Sequence, residues 1–417
     1  MGVNNFIGGL TFSFDLTDTI SFRDYFLITF PTDTTISFLI STSTIRLLST
    51  TYTSSNQSLV ILQNTSNSNF GSGTQVNITF IRYKAPPSTM PSGSITLTVM
   101  NNGYAKMTAS ATITAIANNY TLNVSAASTV VNLYTNYTFT FTMSDPLTST
   151  GYFVLILDPD LCVSNAQNTA ITTNLTITIS GTNIRSSPST QITSTTINGL
   201  SSYQLLLSNL NTSSSNIPVQ SVTITVSNIL NPSAVTTLTT FSLSTYYSSS
   251  ADLVANGNYT GSLIMQTGVI TLSSITSTAT TTYTFTTISV VFKITDPVSS
   301  NGYVMVTLPS DIFLLSASNG LIYLSSTLLT STYNNFISNN TIILQVTPSL
   351  AAGSTITAKL GNIMTQNTTK TTDTFVVSTL DSSFRAIDQS TNSMGLSLTS
   401  GNNFNSLTLT RGSTINS

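Results

Sequence analysis

Val290-Val-Phe-Lys-Ile-Thr-Asp296-Pro-Val-Ser-Ser-Asn-Gly-Tyr303-Val-Met-Val-Thr-Leu-Pro309-Ser-Asp311 is a block that the chain writes three times. The other copies open on Phe12-Ser-Phe14 and Phe139-Thr-Phe141. They run through Asp18, Tyr25, Pro31 and Asp33, or through Asp145, Tyr152, Pro159 and Asp160. In each copy the Tyr comes seven residues after the first Asp, and the second Asp eight residues after the Tyr. Fixed spacing at a long period marks tandem structural units.

The flanks extend the unit. Asn119-Tyr-Thr-Leu-Asn-Val124 with Val130-Val-Asn-Leu133 precedes copy two, and Asn258-Tyr-Thr-Gly-Ser-Leu-Ile264 with Val269-Ile-Thr-Leu272 precedes copy three. Copy one has only a short lead before Phe12. The missing stretch reads instead at the end of the chain, as Ser393-Met-Gly-Leu-Ser-Leu398 and Ser406-Leu-Thr-Leu-Thr410. Downstream, Asn228 and Asn362 each precede a Phe by thirteen residues (Phe241, Phe375), and Ile95–Met100 reads as the equivalent strand of copy one. The expected plan is four segments: 1–116, an incomplete sandwich lacking its opening strand; 117–256 and 257–389, two complete ones; and 390–417, a C-terminal donor strand. Units of about 135 residues are of ordinary domain size.

Composition sets the fold class. The 417 residues include no His, no Trp and no Glu, and only 6% are charged. Scarce Glu and Lys remove surface helix formers, while abundant Thr, Val, Ile, Tyr and Phe favour strands. Runs such as Ile95-Thr-Leu-Thr-Val, Phe139-Thr-Phe-Thr-Met and Val222-Thr-Ile-Thr-Val226 alternate apolar and polar positions, as half-buried strands do. Strands separated by Ser, Asn, Gly and Pro clusters predict an all-β chain of tandem immunoglobulin-like antiparallel β-sandwiches. Extra strands or long loops are expected between Ile171 and Thr196.

What is absent narrows function. Without His, Ser-His-Asp and Cys-His catalysis and the usual zinc sites cannot be built. Eleven scattered Lys and Arg with a net charge of -2 make no basic patch for nucleic acid. No phosphate loop or dinucleotide fingerprint occurs. We expect no enzyme and no cofactor. The recurrent Asp residues, two of them in Asp-Pro pairs, read first as turn formers. Calcium, which takes carboxylate and carbonyl oxygens, is possible but not favoured, because Asp158 beside Asp160 has no acidic counterpart in copy three. The single Cys162 reads as a core position. Lys293 is the best candidate for a strand isopeptide cross-link, but Asp15 and Thr142 stand at its equivalents. No apolar run approaches the roughly 20 residues of a membrane span, and Met1–Leu10 has no secretory-signal pattern.

Eleven Asn-x-Ser/Thr sequons are present. Those with Thr third, Asn77, Asn119, Asn136, Asn174, Asn258, Asn339 and Asn367, are the preferred N-glycan acceptors; Asn56, Asn64, Asn123 and Asn211 follow. A surface far below the usual 25–35% charge needs another source of hydration, and sugars supply it.

The segments around Asn228-Ile-Leu-Asn-Pro-Ser233 and a following Thr-x-x-Phe-x-Leu-x-Thr resemble the Ser/Thr/Asn-rich tandem repeats of large surface proteins of ciliated protists. The plan is also similar to immunoglobulin-like subunits of glycan-coated extracellular fibrils and to pilins assembled by donor strands. That resemblance implies an extracellular, cell-surface filament of identical subunits joined head to tail. Leu396, Leu398, Leu407 and Leu409 would then form the donated apolar face, received beside Phe12 and Phe14. Two alternatives remain open: an adhesin, with Tyr246-Tyr247 as an exposed footprint, and a window of one giant covalent repeat protein.

Overall fold

The computed structural model describes residues 6–7, 10–22, 24–31, 35–43, 47–54, 57–64, 69–84, 93–112, 115–161, 175–213, 216–247, 253–329, 333–334 and 340–400. Every regular element among them is a β-strand.

The first nine strands are β1 (Phe6–Ile7), β2 (Leu10–Asp15), β3 (Tyr25–Thr29), β4 (Thr35–Ser43), β5 (Leu47–Ser54), β6 (Gln57–Asn64), β7 (Gln75–Lys84), β8 (Ile95–Asn101) and β9 (Tyr104–Ala111). They make two sheets. In one, β7 pairs with β2 and β1 along one edge and β4 along the other; the second has the order β5-β6-β3-β8-β9. Alternation puts Phe26, Ile28 and Phe30 of one sheet against Val76 and Ile78 of the other, all fully buried.

The second set is β10 (Asn118–Asn119), β11 (Asn123–Ala126), β12 (Tyr134–Thr142), β13 (Tyr152–Ile156), β14 (Ile177–Ser180), β15 (Ser189–Ile197), β16 (Leu200–Ser208), β17 (Ser221–Leu230), β18 (Thr237–Leu238), β19 (Ser242–Tyr246) and β20 (Leu253–Asn258). Its sheets run β11-β12-β17-β14 and β10-β20-β19-β13-β16-β15. The chain crosses between sheets from β12 to β13 and from β17 to β19, while β12 neighbours β17 and β13 neighbours β19. This is the Greek-key centre of an immunoglobulin-like sandwich. Of the stretch 171–196, where extra strands or long loops were expected, β14 lies inside and β15 begins there and ends at Ile197, pairing with β16 beyond it.

The third set is β21 (Leu263–Ile264), β22 (Gly268–Ser277), β23 (Phe285–Lys293), β24 (Tyr303–Thr307), β25 (Phe313–Leu324), β26 (Thr327–Leu328), β27 (Tyr333–Asn334), β28 (Thr341–Gln345), β29 (Thr355–Met364), β30 (Val376–Leu380) and β31 (Ala386–Ser390). It repeats the second topology, with β23 between β22 and β29 in one sheet and β24 between β28 and β30 in the other. Tyr25, Tyr152 and Tyr303 each open the strand that neighbours β8, β19 or β30, facing Met100, Tyr246 and Leu380 respectively. Asn228 and Asn362 sit at φ 63° and 54°, a left-handed conformation that Asn tolerates better than most residues.

Contact density divides the chain into two compact units. One is Met1–Ala127 with Asn136–Ile229 and Thr239–Ser262; the other is Ser128–Thr135 with Leu230–Leu238 and Leu263–Ser417. Two loop segments next to β12 and β17 thus group with the third sandwich, a division that boundaries near 116, 256 and 389 do not reproduce.

Gly151 and Gly302 precede the recurrent Tyr in the two complete copies. A methyl group on Gly151 would meet Leu147 and lie 2.9 Å from Tyr246 O; on Gly302 it would lie 2.6 Å from Val298 and 2.8 Å from Leu380 O. The collision with backbone leaves little room to adjust. Gly302→Ala should therefore destabilise the third sandwich by about 1–3 kcal/mol in denaturant melts; an unchanged midpoint would contradict this packing.

Candidate functional site: an open strand position in the first sandwich

In the third sandwich β22 bridges the two sheets. Gly268–Ile270 pairs parallel with β31; from Thr271 onward the strand pairs antiparallel with β23, with a register shift between Leu272 and Ser274. Ile270 and Leu272 point inward and are buried. The second sandwich divides this work between β10, parallel to β20, and β11, antiparallel to β12, with buried Leu122 between them.

In the first sandwich, among the described residues, no strand occupies this position. β2 pairs with β7 on one side only, and β9 is the last strand of its sheet. Side-chain exposure differs in the same sense. Phe139 and Phe141 on β12 are 0% and 2% exposed, and Val290 and Phe292 on β23 are both 0%. Their repeat equivalents Phe12 and Phe14 stay only half-buried, resting edge-on against Phe30 and Phe26 at centroid distances of 6.1 and 5.9 Å. Between β2 and β9 lies a groove of about 110 Å³ lined by Phe14, Leu16, Leu97, Val99 and Met107.

The expected donor divides at residue 400. Leu396 and Leu398 are each 5% exposed, buried on their own sandwich. Leu396 N–H donates to Thr372 Oγ1 (2.8 Å) and its carbonyl accepts from Thr372 N–H (2.9 Å). Thr399 N–H donates to Thr280 O (2.7 Å) and Thr399 O accepts from Thr282 N–H (3.2 Å). The expectation that residues 394–399 extend away from the third sandwich, with Leu396 and Leu398 in the donated face, is therefore corrected. Their alternating apolar side chains plug the end of that sandwich. Leu407 and Leu409 lie outside the described residues.

The plug has a counterpart. β21 pairs with β18, Met265 N–H donates to Thr236 O, and Gln266 exchanges bonds with Thr129 O and Val131 N–H. Met265 is buried as Leu398 is, and Thr267-Gly268 follows Gln266 as Ser400-Gly401 follows Thr399. In the first case the chain passes directly into β22. Loop 129–131 therefore corresponds to 280–282, and the sequence pairing of Val130–Leu133 with Val269–Leu272 is corrected.

Two Asp residues of the second sandwich, the recurrent Asp145 and the unrepeated Asp158, act as hydrogen-bond centres. Asp145 accepts from Asn118 Nδ2 (2.7 Å) and Ser144 Oγ (2.8 Å); Asp158 accepts from the N–H groups of Asp160, Thr239 and Thr240. Among the described residues no group of three acidic, Cys or His side chains converges for a metal ion. Cys162 and Asp33 lie outside the described residues, and Lys293 is exposed at the end of β23.

Asp296 occupies the Asp145 position, but Gly268 replaces Asn118 and Asp388 replaces Ala255. A methyl group on Gly268 would collide with both Asp388 Oδ1 and Asp296 Oδ2. Burial pushes the Asp388 carboxyl up to about 7, with the neighbouring Asp296 charge adding to it. Asp296 is also raised by burial, while hydrogen bonds from Asp388 and Asn132 pull it down. No pattern in the sequence pointed to Asp388, because nothing acidic stands at its equivalents.

The sequons are placed unevenly. Asn119, Asn123, Asn136, Asn258 and Asn367 are exposed; Asn77 is half-buried on β7, where it accepts from Ser13 Oγ. Asn211 is 8% exposed and accepts from Ser213 N–H at 3.0 Å, which leaves no room for a sugar in the folded state and corrects its candidacy. Asn56, Asn174 and Asn339 lie outside the described residues, and only the backbone of Asn64 is described, in β6. Tyr246 stacks on Tyr152 at 4.8 Å, and Tyr247 packs on Val254 and Ala255, so neither is the exposed footprint an adhesin was expected to show.

No family model matches the chain, and no curated protein matches it. Among solved structures, a putative membrane-anchored protein of Corynebacterium diphtheriae is 9% identical over 95% of this chain and 87% of its own, with a TM-score of 0.20. The major pilin SpaA of the same organism, described as a modular pilus assembly with stabilising isopeptide bonds, is 8% identical over 89% and 96%, at 0.23. A type II cohesin dyad from the ScaA scaffoldin of Acetivibrio cellulolyticus is 11% identical over 67% and 98%, at 0.18. The sandwich rests on the strand pairings above and not on these scores.

A carboxyl held above its ordinary value stabilises the fold while protonated and loses that contribution as pH rises through the raised value. The third sandwich should therefore lose stability as pH rises between about 4 and 7, as Asp388 gives up its proton. Thermal melts at pH 5 and pH 8 should show that decline, and Asp388→Asn should flatten it. Equal melting of the wild type at both values would contradict a raised Asp388.

Proposed function

We propose that the chain is a structural subunit of an extracellular, glycosylated filament. Residues 401–417 of one copy supply the missing strand in the first sandwich of the next. The observation that carries this is the half-exposure of Phe12 and Phe14 where their equivalents, each beside a bridging strand, are buried. A new strand there would complete the main-chain ladder along β2 and roof the groove beside Met107.

Leu407-Thr408-Leu409 has the alternation of Ile270-Thr271-Leu272, the inward part of β22. It stands nine residues beyond Leu398, whereas Ile270 stands five beyond Met265, so the connecting piece is four residues longer. Burying two Leu side chains contributes about 3–6 kcal/mol before ordering costs, so the ladder is needed as well. Identical subunits are the partners, and no catalytic role is proposed. The same plug at 396–399 would equally lead into a further sandwich of one long covalent chain; intact mass under denaturing conditions separates the two.

Leu407→Asp with Leu409→Asp should leave the second and third sandwiches folded by circular dichroism while abolishing filaments in electron micrographs. Filaments of normal length from the double variant would overturn strand donation.

Sugar on the outward Asn119, Asn136, Asn258 and Asn367 would supply hydration that charge does not. Glycopeptide mass spectrometry of the native protein should find these four occupied and Asn211 bare. Four unmodified peptides would refute the coat.

A further inference from the structure

Tyr283 is a bulky residue at φ 55° with 68% of its surface exposed. A positive φ is costly for an aromatic residue, and such strain points to a selected position. Among the described residues, the ring makes no aromatic stacking and its hydroxyl no hydrogen bond.

Its repeat equivalent shows what the position does when covered. Asn132 has φ 53°, and its N–H donates to Pro232 O at 3.0 Å as Tyr283 N–H donates to Gln366 O at 2.9 Å. The residues following also match, since Leu133 O accepts from Asn231 N–H as Thr284 O accepts from Thr365 N–H. The Asn132 side chain hydrogen-bonds Asp296, the first Asp of the next repeat block, and Val235 N–H in the neighbouring loop donates to Ala386 O at 2.7 Å.

Both receiving positions have counterparts in the first sandwich. Asp18 stands at the Asp296 position, exposed and 3.8 Å from Lys106 Nζ. Ala105 faces Met100 as Ala386 faces Leu380, and beside it Tyr104 is 80% exposed; Phe22 of the adjoining turn is 47% exposed. The giving face carries an outward aromatic and the receiving corner two outward aromatics, the residue type enriched at protein interfaces, beside a carboxylate that a phenol can reach.

We infer that Tyr283 is a docking residue that seats on the Asp18, Phe22 and Tyr104 corner of the first sandwich of a second copy of this chain. This rests on the head-to-tail reading above. It adds a second contact, separate from the donated strand, that fixes the orientation of one subunit on the next. The phenol donates to Asp18, and the ring lies against the exposed aromatics.

The test uses the full chain with a benzophenone amino acid at position 283, irradiated after assembly. Cross-links should map to residues 18–24 or 104–106 of another copy. Tyr283→Gly, which relieves the positive φ, should raise the concentration needed for assembly about tenfold, the cost of a modest interface hot spot, without lowering the melting temperature. Tyr283→Asn, which carries the residue found at the equivalent position, serves as the second variant and should restore part of the loss. Filaments whose cross-links fall elsewhere, or that form at an unchanged concentration in Tyr283→Gly, overturn the docking role and leave strand donation standing. A wild-type chain that does not associate overturns both.

Discussion

Everything in these sandwiches depends on closing the gap between the two sheets with one strand. A sandwich edge leaves a row of N–H and C=O groups unpaired and lets water reach the side of the core. β22 solves both problems within a single run. Its first three residues pair with one sheet and the rest with the other, and the register shift after Leu272 accompanies the change of partner. Where that gap is closed, the inward pair beneath it, Val290 with Phe292 or Phe139 with Phe141, is dry. Where no described strand closes it, the equivalent pair is half-open, which is why an unremarkable Phe-Ser-Phe becomes the chain's candidate binding surface.

The composition follows from the same architecture. With 6% charged residues, the outward strand positions are filled by hydroxyls, and neighbouring strands join them directly. Examples are Thr11 with Thr79 at 2.9 Å and Thr307 with Thr341 at 3.2 Å. Such pairs contribute to sheet stability and keep the surface polar without ions. They do little to repel another sheet edge, so a chain built this way depends on covering its edges. The proposed sugars on outward Asn and the proposed strand in the groove would serve that need in different places.

Much of the architecture was legible because repetition makes weak signals add. The Asp, Tyr, Asp spacing placed equivalent strands, and Asn228 and Asn362 stood out because a left-handed backbone leaves few residue choices. The expectation of an incomplete first sandwich came from a stretch that copies two and three share and copy one does not. The end of the third sandwich was not legible. Leu396-Ser-Leu398 alternates like a strand whether it is donated or plugs its own domain, and periodicity cannot name the partner. The Asp388 and Asp296 pair left no trace either, because a carboxyl facing a glycine across the sheet depends on registers that only the folded strands define.

The three strand positions differ in what stands at the crossing point. In the second sandwich it is Asn118 hydrogen-bonded to Asp145 beside Ala255; in the third, Gly268 under two buried carboxyls. The open one has Met107, which neighbours Val99 as Ala255 neighbours Thr245, with Asp18 drawn toward Lys106. A side chain larger than hydrogen cannot pass beneath Asp388 and Asp296, so the third sandwich excludes by collision, rather than by lack of attraction, a strand that carries one at this point. Gly268 meets that requirement, and it is at Gly268 that β22 faces Asp388 on β31.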